Sequence, residues 1–181
     1  QGFTLNGGNP YNAYMYLNST AEEAGGSVHW GGAIPGTTTF TVGTSNRTNT
    51  NDQEYIAYVW SEIPGYSKFN TYFGNGSADG PFIYCGFKPA WIMVKTLTSN
   101  QQGGWQLRDN KRTPAGNLTN NLLYANAAST EQTTDGIDIL SNGFKFRNTA
   151  GDNNASGRKY AFFAFAQNPF TSSTGTPVTA R

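Results

Sequence analysis

The sequence predicts an all-β protein built as an antiparallel β-sandwich, and three observations carry that expectation. Aromatic and β-branched runs recur every 8–15 residues. Clusters of Gly, Asn, Asp and Ser bound them. Long apolar windows of helical period are absent. Polarity comes from amides and hydroxyls rather than charges. The chain holds 20 Asn, 22 Thr and 22 Gly, while charged residues are only 13%. With aromatics at 14%, such a chain can still bury a core, which argues against disorder.

In chain order, the segments near Ala13 to Ala24 and Leu118 to Ala128 are the two places that read as turns of helix. Strands are expected at Phe40–Val42, Tyr55–Trp60, Phe82–Cys85, Trp91–Val94, Phe144–Arg147 and Tyr160–Phe165. Turn clusters punctuate them: Gly74-Asn75-Gly76, Ala78-Asp79-Gly80, Ser141-Asn142-Gly143 and Asn153 to Gly157. Trp60 and Trp91, inside apolar runs, are expected in the core.

The chain also repeats itself at a shift of about 105 residues. Asn12 falls on Asn117, Leu17 on Leu122, Ile34 on Ile139, Tyr55 on Tyr160 and Pro64 on Pro169. One gap brings Phe40 onto Phe144, and Phe3-Thr4-Leu5 echoes Trp105-Gln106-Leu107. The expected organisation is the C-terminal part of a first β repeat over 1–66, a complete second repeat over 67–170 and an extended tail over 171–181. Ile63 to Phe69 reads as the connector between copies. The first copy has no counterparts of Tyr72 to Lys95, so the chain is expected to be cut from a longer polypeptide, the alternatives being another element over that edge or one larger sandwich built by both copies.

A net charge of +1 with scattered basic residues gives no footprint for nucleic acid, and no apolar stretch is long enough to span a bilayer. Cys85 is alone, so no internal disulfide forms, and its apolar setting reads as a buried inert thiol. There is one histidine, His29, so no His-based metal site is expected. Most of the acids lie beside Gly or Asn and read as turn and cap residues rather than a glycosidase pair. Asp135-Gly136-Ile137-Asp138 and Asn75 to Gly80 offer oxygen ligands for a calcium ion, but both read as tight turns. Neither a nucleophile elbow nor a phosphate loop is present. No cofactor and no metal is expected, and the protein is read as a non-enzyme. Five Asn-x-Ser/Thr triplets, at Asn18, Asn46, Asn75, Asn117 and Asn154, follow from composition.

Several long phrases, occurring in order, resemble a family of uncharacterised phage virion proteins, a repeated β domain of tail-fibre and tail-collar proteins from marine and cyanobacterial phages. They are Tyr55 to Phe69, Tyr72 to Phe82, Gly86 to Lys95, Leu140 to Phe146, Asn154 to Gly157, Ala164 to Phe170 and the ending Ala180-Arg181. The resemblance implies a jelly-roll or concanavalin-like sandwich on the external surface of a virion, in a tail appendage. It also implies a homo-oligomer, a trimer as in fibres, that meets other virion proteins and host-surface glycan. A capsid decoration or head fibre, and a polysaccharide depolymerase, are the alternatives. Aromatic faces stack on sugar rings while polar neighbours bond the hydroxyls. The candidate glycan contacts are therefore Tyr66, Tyr72, Trp105, Arg108 and Asp109. The polar loops Thr44 to Asp52 and Asn148 to Gly157 are candidates for a binding tip.

Overall fold

The computed structural model describes residues 10–98, 103–113 and 117–168. The echo at Phe3 to Leu5 and the tail 171–181 lie outside those residues. A short ribbon pairs β1 (Ala13–Tyr14) with β2 (Ala24–Gly25), and a single-turn helix α1 (Ser27–Trp30) follows. The main sheet takes β3 (Ser67–Phe73), β4 (Phe82–Tyr84), β5 (Pro89–Thr96), β6 (Gln106–Asp109), β7 (Thr119–Tyr124), β8 (Gln132–Leu140), β9 (Gly143–Phe146) and β10 (Lys159–Ala166). Its order is β3-β10-β5-β6-β7-β8-β9-β4, antiparallel throughout.

The eight strands curl into a near-barrel. Tyr72, on the edge strand β3, stacks on Phe146 of β9, next to the opposite edge, with ring centroids 5.3 Å apart. It also stacks on Tyr160 of β10 at 5.1 Å. Around these rings Ile83, Ile92, Val94, Ile137, Phe144 and Phe162 close one continuous core. β10 is paired on both edges and largely buried, so its sequence is apolar without interruption. Gly143 permits the closest approach in the sheet. A Cβ there would lie 2.1 Å from the Ile83 carbonyl oxygen, so only glycine lets β4 sit against β9. Cys85 is buried, and burial pushes its thiol up to about 12.

The sheet's outer face is not polar, as an exposed antiparallel face usually is. Phe69 meets Phe163 and Phe165 edge-on at 5.5 and 5.7 Å, and Trp91 leans on Phe165. These four rings are half-buried. The N-terminal segment covers one end of this face, where Trp105 Nε1 donates to the Tyr16 carbonyl and Lys95 Nζ to the Thr20 carbonyl.

Several expectations are corrected. Neither expected helix forms: Ala13–Tyr14 is paired strand, and Thr119–Tyr124 lies between β6 and β8 with Leu122 inward. Local propensity yields there to tertiary pairing. Phe40–Val42 and Tyr55–Trp60 are not strands. No neighbouring strand among the described residues takes up their backbone groups. Ile56, Tyr58, Val59 and Trp60 are 83, 74, 72 and 62% exposed. Trp60 is therefore outside the core, and Trp91 is only half-buried. The segment Ile63 to Phe69 forms a tight turn, where Ser67 N donates to the Ile63 carbonyl, and then enters β3.

Candidate functional site

At one end of the curled sheet lies an acidic cleft of 440 Å³, lined among others by Thr20, Gly104, Tyr124, Asn126, Asp135 and Asp152. Its geometry begins at a bulge in β8. The ladder runs Thr119↔Ile137 and then Asn121↔Thr133, so Thr134–Gly136 oppose the single residue Asn120. Asp135 sits at the bulge with φ 57°, a left-handed conformation that Asp tolerates better than most residues.

The bulge serves a buried cation. Arg108, only 2% exposed, points inward from β6. Its NH1 donates to the carbonyls of Thr119, Asn120 and Thr134, each at 3.4 Å, and NH2 approaches Gln106 Oε1 at 3.5 Å. No carboxylate pairs with it among the described residues. Burial lowers its pKa to about 10, with Asp135 the largest opposing influence. The network continues outward. Asn153 Nδ2 donates to Gln106 Oε1 at 2.9 Å, Gln106 Nε2 to Tyr124 OH at 3.4 Å, and Tyr124 OH to Asp152 Oδ2 at 3.1 Å.

The loop 148–157 closes this end. Tyr72 OH donates to the Asn153 carbonyl at 2.6 Å, and Tyr160 OH to the Gly151 carbonyl at 2.8 Å. Asn154 Nδ2 donates to the carbonyls of Ser77 and Asn148. This loop, a candidate for a binding tip, is pinned, with Asn153 and Asn154 fully buried.

Burial raises the Asp152 carboxyl pKa, and the nearby Asp135 charge raises it further. Its Oδ1 is buried with no hydrogen-bond partner among the described residues. Burial lowers Lys95 to about 8, while Asp152 and Glu22 oppose that shift. Two carboxylates are thereby flanked by two cations. Among the described residues, no group of three or more His, Cys, Asp or Glu could hold a metal ion.

The five residues singled out from the sequence do not form one surface. Tyr66 is exposed and meets Phe165 edge-on. Tyr72 and Arg108 point into the core, and Trp105 is buried beneath the N-terminal segment. Their rings and guanidinium offer no open face for stacking. Asp109 accepts from the amides of Lys111 and Arg112 and pairs with the Arg112 side chain at 2.7 Å. Asp135 to Asp138 is not a tight turn but part of β8, and Asp138 pairs with Arg147. Sequence reading missed Tyr124, Lys95 and Asp152. The alternation Gln106-Leu107-Arg108, polar residues inward, was the available signal.

Fold and site together define an antiparallel β domain, one curled sheet with a polar interior at one end and an acidic cleft outside it. The chain belongs to the DUF7483 family, a domain of unknown function whose model matches residues 4–169. Neither a curated protein nor a solved structure matches the chain. Among the described residues no helix is long and apolar enough to cross a membrane.

Proposed function

We propose that the protein is a non-catalytic assembly and recognition module on the outside of a bacteriophage particle, in a tail fibre or related appendage. The observation that carries this reading is the exposed arm Tyr55–Trp60. Six consecutive residues of strand-type, mostly apolar sequence have no sheet partner among the described residues. The outer sheet face is likewise layered with Phe69, Phe163, Phe165 and Trp91 rather than polar residues. Exposed apolar surface of this kind serves association. The arm is also the counterpart of β10 in the internal repeat of about 105 residues. In that reading the complete unit is a jelly-roll-type sandwich, and the arm becomes a strand when copies assemble into a trimer. The phage phrases along the chain supply the setting, and host-surface glycan is the recognised partner.

Immunogold labelling of particles with an antibody to this chain tests the location. Label on a tail appendage is the expected result. Label on the head, or none on the particle, overturns it.

A further inference from the structure

At the end of the sheet opposite the acidic cleft lies a second cleft, of 250 Å³, and its chemistry is reversed. It opens where β5 starts and β6 ends, and where β7 starts and β10 ends. Lys88 and Lys111 stand at its mouth, with Asn110, Thr119 and Gln167 in its walls. Neither lysine forms an ion pair among the described residues. The nearest acid by sequence, Asp109, is held by Arg112 at 2.7 Å, and Glu131 also turns to Arg112, at 3.5 Å.

Among the described residues, two polar atoms in the walls have nothing to bond. Thr119 is 1% exposed, yet its hydroxyl has no hydrogen-bond partner there, and Gln167 Oε1 is likewise buried and unpartnered. Leaving a buried polar group without a partner is costly. Two such atoms in one cleft, a hydroxyl and a carbonyl oxygen, are what a ligand carrying both donors and acceptors would satisfy. The ammonium groups of Lys88 and Lys111, without an ion pair among the described residues, favour a ligand that carries negative charge. The volume suits one ring rather than a chain.

We propose that this cleft binds an acidic monosaccharide unit, its carboxylate between Lys88 and Lys111 and a ring hydroxyl between Thr119 Oγ1 and Gln167 Oε1. This inference rests on the recognition part of the proposed function and names the class of glycan.

The test uses sodium glucuronate as probe, followed by amide chemical shifts of the labelled protein, with glucose, acetate and phosphate in parallel. Glucuronate is expected to shift residues around Asn110–Lys111 and Thr119 saturably, more tightly than any of the other three. Thr119→Val, close in shape but without the hydroxyl, and Lys88→Glu, on the surface, are each expected to weaken it at least about tenfold. Their melting temperatures should not fall, which separates lost binding from lost fold. No saturable glucuronate shift, equal shifts with acetate or phosphate, or unchanged affinity in both variants overturns the assignment. A pull-down on immobilised polygalacturonate separates the two levels of inference. Retention equal in wild type and both variants overturns this cleft while leaving glycan recognition standing. Loss of retention in the variants alone supports it.

Discussion

The guanidinium of Arg108 lies 3.4 Å from the carbonyl oxygen of Thr134, and the bulge in β8 is what aims that carbonyl inward. A cation has been buried and surrounded by backbone carbonyls in place of a carboxylate. Removing one partner of such a set leaves the others buried and unsatisfied. Arg108→Ala should cost about 3 kcal/mol or more in urea unfolding. Arg108→Lys should recover less than half, because a single ammonium does not span the carbonyls of both β7 and β8. A loss under about 1 kcal/mol in Arg108→Ala would contradict this role.

Lys95 gives a pH signature. Its folded pKa, about 8, is below its ordinary value of 10.5. The unfolded chain therefore binds more protons between those values, and by linkage this residue makes stability rise with pH across that window. Cys85 works the other way above about 9, because its folded thiol holds its proton up to about 12. Comparing wild type with Lys95→Met isolates the lysine. The stability difference, Met minus wild type, should shrink from pH 7.5 to 9.5. A difference constant across that range refutes the assignment.

Gly143 should tolerate no side chain. In Gly143→Ala the new methyl meets the Ile83 carbonyl at 2.1 Å, a backbone atom that cannot step aside alone. Destabilisation of about 1–3 kcal/mol is expected, with faster amide exchange concentrated in β4 and β9. An unchanged melting temperature would mean that β4 does not pair as described.

Part of the sheet was legible in the sequence because several of its strands carry dense aromatic or β-branched runs. β10, β5 and β9 announce themselves through Tyr160–Phe165, Trp91–Val94 and Phe144–Phe146. β3 and β7 did not, because Ser, Lys, Asn and Thr fill four of seven positions in β3, Asn and Thr fill three of six in β7, and neither alternates cleanly. Thr119–Tyr124 becomes a strand only because β6 and β8 flank it. The acidic cleft was hidden for a related reason. Tyr124, Asp135 and Asp152 come from three segments that meet only when the sheet curls. Tyr55–Trp60 failed in the opposite sense, since a strand-type sequence remains unpaired when no neighbour is at hand.

That arm is where the account is most exposed to test. Hydrogen exchange of the amides of Tyr55–Trp60, followed while protein concentration is raised, measures it directly. Fast exchange is expected in dilute solution and protection as copies associate, with Ile56→Asp and Val59→Asp abolishing both the protection and the larger species seen by light scattering. Fast exchange at every concentration, or protection that persists in a monomer, would contradict it.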